Sequence, residues 1–488
     1  MPKVGSSTGW KISAAFVIGA VFGAFVVAQV APNATKQTAI TQAPGPGATT
    51  GGGGPNPTTG PGGSPLPGQT TGSGVGPSGK NLACAAGRNG GATDKGVTAT
   101  QVSLATTVVR SGIGAAFLGD VQYAMEAVKN KVNRAGGICG RQLSIRYVDD
   151  GWRSDLGSQY IRSFIKSGVF AIPVGPSSEG LNVAISNGDI RNAGIPVVGT
   201  DGMIISQYRD PWVWPVAVAT ASSARLMVLN AWNRGARKFA IVFDRNYKFG
   251  SEAATAFNNE VKRLKHENVD GYNSQNNCLK SYCGIDAGQP GYRNEVNTVA
   301  SQDFDFLGMF LEPKTALTWM ATPGAPTIAN KVQKAGMIGL AQPLFTRDFA
   351  VNCQSECHKM WVWTGYKPPI EDYQNDTVVR TFVNDLRKTK PDADENNAFA
   401  QGGYVGMLLL VQAMQQAGPD LTRARLKQAL NSMSFASGLT LQPTLRWPAG
   451  NYFAASTMQA FEIQYSGTFG GWRAQDIVKD PTPQLGTG

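Results

Sequence analysis

Residues 101–150 restrict this chain more than any other stretch: QVSLATTVVRSGIGAAFLGDVQYAMEAVKNKVNRAGGICGRQLSIRYVDD. The β-branched run over 102–109 reads as a strand. Leu118, Val121, Ala124, Met125, Val128 and Val132 then recur at helical spacing. Gly136 and Gly137 stop that helix. Residues 141–148 alternate polar and apolar before Asp149-Asp150, so a second strand ends on acidic residues. Such strand–helix–strand units build parallel sheets covered by helices.

The alternation continues. Residues 156–167 read as a helix, 169–174 as a buried strand, 179–192 as a helix and 195–199 as a strand. The run 210–215, Asp-Pro-Trp-Val-Trp-Pro, interrupts the pattern. It resumes with helix 222–234, strand 238–243, helices 251–265 and 293–301, strand 304–311 and helix 315–335.

A strand entering a small-residue loop, a helix ending in Asn133-Arg134-Ala135-Gly136-Gly137-Ile138-Cys139-Gly140-Arg141 and a strand ending in Asp-Asp resemble the type I periplasmic-binding-protein family. The likeness is to its branched-chain amino-acid branch, the extracytoplasmic solute receptors of ABC importers, and runs over residues 97–479. It implies an α/β fold of two Rossmann-like αβα lobes joined by a three-crossover hinge, a Venus-flytrap. Lobe 1 would take residues 81–219 and 340–447, and lobe 2 residues 220–339 and 448–480, leaving 481–488 as a tail. After a return near Leu340, the resemblance implies helices at 373–387 and 399–416, a crossing near Pro448 and a strand at 459–465. Two lobes on a hinge make a closable cleft.

Ahead of this region, Lys3 and Lys11 precede residues 12–30, which carry no charge. As a helix they would span about 28 Å, close to the ~30 Å hydrocarbon core of a bilayer. A secretory signal has a shorter apolar core, and Ala28-x-Val30 followed by Ala31-Pro32 is a poor cleavage site. Residues 1–30 therefore read as an uncleaved membrane anchor, with a signal peptide as the alternative. Residues 31–80 are rich in Gly, Pro, Thr and Ser and read as a disordered tether, ~40 Å end to end. Either way the folded part is exported, to the cell surface or a periplasm-like space.

The six cysteines agree with export. Two close pairs and one distant pair suggest the disulfides Cys84–Cys139, Cys278–Cys283 and Cys353–Cys357. Cysteine number alone leaves the connectivity open. A metal site using Cys353, Cys357 and His358 is the rival, but the spacing fits no common zinc pattern. Net charge is +11, spread along the chain without a basic block, which argues against nucleic acid.

In open α/β sheets ligands sit beyond the carboxyl ends of the strands. There Ser177 and Ser178 open a helix whose N–H groups and dipole suit a carboxylate; an N-cap role is the plainer alternative. The resemblance implies that this serine loop holds the solute's carboxylate. Asp201 follows the next strand, and Met203 stands where many amino-acid-binding relatives have threonine, so a carboxylate donor is missing and a negative charge is added. The loop after residue 243 resembles the one whose aromatic closes over the solute, with Phe249 the better match and Tyr247 the second. Glu312 falls where relatives carry an ammonium-binding glutamate; a salt bridge or helix-start charge is its alternative. Phe117 and Trp152 would pack on the ligand's apolar part. Arg347 is the remaining candidate, unless it pairs with Asp348.

Catalysis finds little support. There are two histidines, no nucleophile elbow and no phosphate-binding glycine loop after a strand. The expectation is a monomeric receptor, needing no cofactor or metal, that binds a small polar or amphipathic solute and presents it to an ABC permease. A tethered sensor is the second reading and an enzyme the third.

Overall fold

The computed structural model describes residues 89–332 and 334–480. The expected anchor, linker, Cys84 and tail lie outside them. No helix among the described residues is long and apolar enough to cross a membrane.

The first half begins with β1 (Gln101–Val108), α1 (Ala115–Leu118), α2 (Val121–Arg134) and β2 (Gln142–Asp149), and β1 and β2 pair in parallel as expected. It continues through α3 (Ser154–Lys166), β3 (Ile172–Pro173), α4 (Ser178–Ser186), α5 (Asp189–Ala193), β4 (Val197–Thr200) and β5 (Val213–Pro215). β3, β4 and β5 pair in parallel, and a bridge from Leu104 to Ala171 ties them to β1. The run 210–215 thus contains a strand after all; its prolines sit outside or at the end of the three-residue ladder, where no amide is missed. The helix expected over 179–192 breaks at Gly188, whose φ of +76° is left-handed.

The second half runs from α6 (Thr220–Asn233) through β6 (Phe239–Asp244), α7 (Lys248–Lys265), β7 (Tyr282–Ile285), α8 (Arg293–Ala300), β8 (Phe306–Phe310), α9 (Pro313–Ala321), α10 (Ala325–Lys331), β9 (Ile338–Leu340), α11 (Arg347–Cys353) and β10 (Trp361–Thr364). Then α12 (Thr377–Thr389), α13 (Ala398–Ala417) and α14 (Arg423–Ser432) return to the first half, α12 and α13 against α2 and α13 also across β4. β11 (Thr457–Tyr465) and β12 (Phe469–Lys479) complete a second sheet of order β12-β11-β10-β9-β8-β6-β7.

Because β9 and β10 hydrogen-bond into this second sheet, the chain recrosses after Thr364 and not near Leu340. The single helix expected over 315–335 is two, separated at Gly324. The connections near 216–219, 365–376 and 448–456 lie together: Val218 bridges Ala455, and a Cβ on Gly365 would stand 3.0 Å from Val218 Cγ2. The disulfides Cys278–Cys283 and Cys353–Cys357 are formed, and Cys139 is disulfide-bonded. Beside the second, His358 Nδ1 accepts from Tyr465 N–H. No group of three metal-ligating side chains occurs among the described residues.

Candidate functional site

Two tight turns and two helix starts bring the candidate residues together. After β2, Asp149 Oδ1 accepts from Arg110 and Gly151 N–H, and Asp150 Oδ1 accepts from Trp152 N–H at 3.0 Å. These bonds hold Trp152 at a left-handed φ of +62° and turn its ring inward, 1% exposed. The indole stacks on Tyr247 from the second half, centroids 4.2 Å apart and planes within 11°. Phe117 meets it edge-on at 5.3 Å and Phe249 lies tilted at 5.8 Å. Trp152 Nε1–H donates to Ser178 Oγ at 3.2 Å. Thus Trp152, Ser178, Phe117, Tyr247 and Phe249 form one cluster spanning both halves.

The serine loop is set by Val174 and Gly175, both left-handed, which swing the chain into α4. α3 and α4 then pack backbone to backbone: a Cβ on Gly180 would come within 2.6 Å of Gly157 Cα. This presses Ser177, Ser178 and Glu179 against the second half. Ser177 starts α4 without a side-chain capping bond and lies beside Asp150.

Glu179, which the sequence reading left unassigned, makes the decisive contact. Its Oε1 accepts from Lys248 N–H, the first amide of α7, at 2.8 Å. A carboxylate from one half therefore occupies a helix N-terminus of the other. Glu252 on α7 returns the contact, its Oε2 accepting from Ile205 N–H at 2.7 Å.

Asp201 follows β4 in a polar knot. Its Oδ1 accepts from Met203 N–H and Gln207 Nε2–H, while Gln207 Oε1 accepts from Thr200 Oγ1–H and Gly202 N–H. Asp201 Oδ2 accepts no hydrogen bond from the described residues.

Glu312 behaves as the plainer reading held: its two oxygens accept from Lys314 and Thr315 N–H and cap α9. It is fully buried, and its own N–H donates to Asp244 Oδ2 at 2.7 Å. Asp244, at the end of β6, is equally buried and its Oδ1 has no partner among the described residues. The signal that drew attention to Glu312, an acid ending an apolar strand, is present at Asp244 too.

Arg347 stands apart. It opens α11, whose start is capped by Thr346. Its side chain lines a different cavity of about 730 Å³ with Asp120, Asp394 and Asn396.

Burial dominates the electrostatics. It pushes the Asp150 carboxyl up to about 6, and Glu179 and Asp201 up to about 7, with Glu252 adding to the rise at Glu179 and Glu179 to that at Asp201. Asp244 is driven well above the usual carboxylate range by burial and by Glu312. Each such acid keeps its proton in the folded chain where the unfolded chain has lost it. The stability it contributes is therefore complete below about pH 4 and is lost as pH rises towards 7. The melting temperature is expected to fall between about pH 4 and pH 7, and Asp201→Asn to flatten that slope. A flat profile in the parent protein would refute these protonation states.

Residues 101–468 match the family described as periplasmic binding protein. A fatty acid ABC transporter substrate-binding protein from Thermomonospora curvata matches with a TM-score of 0.66 at 14% identity, over 83% of this chain and all of that one. A possible leucine/isoleucine/valine-binding protein from Rhodopirellula baltica gives 0.64 at 11%, over 77% of this chain and 96% of that one. A branched-chain amino acid transporter substrate-binding protein from Streptococcus pneumoniae, in complex with isoleucine, gives 0.60 at 16%, over 78% and 100%. No curated protein sequence matches the chain.

Proposed function

The chain belongs to the periplasmic binding protein family, and from that premise we propose that it captures one small polar or amphipathic solute between its two lobes and presents the closed form to an ABC importer. It is an extracytoplasmic solute-binding protein and not an enzyme. Lobe 1 comprises residues 89–219 and 365–447, and lobe 2 residues 220–364 and 448–480.

The observation that carries this reading is the paired clasp between lobes. Glu179 of lobe 1 holds the Lys248 amide, and Glu252 of lobe 2 holds the Ile205 amide. Next to the first of them in the chain, through Ser178 and Tyr247, is the Trp152–Tyr247 stack. Contacts of this kind exist only when the halves meet, so a solute touching both lobes shifts the population toward closure.

Thermal melts of the purified protein against amino acids, fatty acids, aromatic acids, polyols and amines test the capture step. A true solute at a hundred times its Kd adds about 2.7 kcal/mol of stability. Ser178→Ala and Glu179→Ala are each expected to weaken that binding about tenfold, as loss of one hydrogen bond to a charged or buried group does. Unchanged affinity in both variants would remove the cleft from consideration. Uptake of the same solute by membranes carrying the importer, with and without the receptor, tests delivery.

A further inference from the structure

Helices α4, α7 and α9 follow strands β3, β6 and β8. Two of those helix starts are filled by the chain's own carboxylates: Glu179 accepts from the first amide of α7, and Glu312 from two amides of α9. The start of α4 is open. The N–H groups of Ser178, Glu179 and Gly180 meet no acceptor among the described residues, and Ser177, the residue before the helix, makes no capping bond. Ser177 is 1% exposed, yet its Oγ has no partner among the described residues. Ser178 Oγ accepts from Trp152 Nε1–H and so keeps its own O–H to donate. Three amides and two hydroxyls are thus left at one helix start, at the positive end of its dipole, and that arrangement receives a negative charge.

A positive charge has no such place. Glu312, the acid that the sequence reading assigned to an ammonium group, is fully buried; its two oxygens hold Lys314 and Thr315 N–H, and the Thr315 hydroxyl is a third donor. The start of α9 therefore takes up the charge that an ammonium would need. Asp244 gives Oδ2 to Glu312 N–H, and burial keeps that carboxyl protonated. Glu252 holds Ile205 N–H and is offset by Lys248 and Arg209. On lobe 1, Asp201 Oδ1 is spent on Met203 N–H and Gln207 Nε2–H, and burial holds its carboxyl neutral below about pH 7. Each of these acids is bonded, offset or uncharged, so a buried ammonium would lack its partner.

We infer that the solute is a monocarboxylic acid with an apolar body and no ammonium group, its carboxylate on the start of α4 and its body against Trp152, Phe117, Tyr247 and Phe249. This class rests on the interlobe reading above and narrows it. One carboxylate suffices, because one of the three helix starts is open. The Trp152 indole that bonds Ser178 also carries the aromatic wall, so head and body of the guest meet the same side chain. Since Trp152 and Tyr247 are stacked at 4.2 Å, the body reaches that wall while the lobes are parted.

Calorimetric titration of the full chain compares 4-methylpentanoate with leucine and 3-phenylpropanoate with phenylalanine, with 3-phenylpropylamine as the cationic counterpart. It is run at about pH 6, where Asp201 is neutral and the probes' carboxyls are ionised. At least one acid is expected to bind with a Kd tighter than about 0.1 mM, and about 30-fold or more tighter than the amino acid of the same skeleton, the scale for burying a charge without its partner. Ser177→Ala is expected to weaken the acid about tenfold, as loss of a hydrogen bond to a charged group does. Thermal melts check that this variant folds, and Ser178→Ala reads the same helix start independently. An amino acid that binds as tightly as its acid, or an amine that binds when neither acid does, would overturn the inference and leave the receptor reading standing. Acid binding undiminished in both serine variants would overturn the placement at α4. Binding by none of the five probes would also overturn the inference, while the receptor reading is decided separately by the broader panel of thermal melts above.

Discussion

Trp152→Ala is expected to lower stability by about 3–5 kcal/mol, the range for deleting a large buried aromatic, and to part the two lobes. The indole is 1% exposed and touches Phe117 on its own side and Tyr247 and Phe249 across the gap. It also supplies the donor that fixes Ser178. Alanine keeps the left-handed backbone and deletes only the ring, so the change reports on the side chain. Calorimetric melts measure the first effect and small-angle scattering the second, as a larger radius of gyration. Trp152→Phe keeps much of the stack and loses the bond to Ser178, at a cost of about 1 kcal/mol. An unaltered scattering profile in the alanine variant would show that closure rests on the Glu179 and Glu252 clasps alone.

Gly406→Val is expected to abolish cooperative folding of lobe 1. Where α13 crosses β4, Gly406 lies against Gly199 backbone to backbone: a Cβ on Gly406 would stand 2.7 Å from Gly199 O and 2.9 Å from its Cα. From the other side, a Cβ on Gly199 would stand 2.2 Å from Gly406 Cα, at a φ of +88°. Neither neighbour is a side chain that can swing away, so the helix must lift off the sheet. The cost exceeds ~4 kcal/mol, in the range reserved for overpacked cores. The next residues after Gly199 are Thr200 and Asp201, so solute binding goes with the fold. Circular dichroism of the purified variant, or its failure to accumulate as soluble protein, checks this. Gly291→Ala, with open space around its Cβ and no left-handed φ, serves as the control and stays within about 0.5 kcal/mol of the parent.

The opening strand–helix–strand unit, the alternation that follows and both short disulfides were legible in the chain, because each depends on neighbours within one or two turns of sequence. Hydrophobic period and cysteine spacing are local quantities. The crossing after Thr364 was not legible: β10 is four residues long, and its place beside β9 and β11 is decided by hydrogen bonds to distant segments. β7, also four residues long and placed by its pairing with β6, escaped for the same reason.

At the candidate site the division is sharper. Residue type and position at strand ends pointed to nine residues, of which Ser178, Tyr247, Phe249, Phe117 and Trp152 share the aromatic cluster, while Ser177, Asp201, Glu312 and Arg347 do not. Glu179 looks like an ordinary acid in the sequence, whereas Asp244 ends an apolar strand as Glu312 does and was passed over. What distinguishes them is an amide 69 residues away for one and burial beside Glu312 for the other. Glu312 shows the converse, an acid marked for a ligand and spent on its own helix. Local pattern says which side chains stand at strand ends. Whether a carboxylate there caps a helix, clasps the opposite lobe or is left with an open lone pair depends on which amides come within 3 Å of it. That is set only when two separately built sheets close on each other.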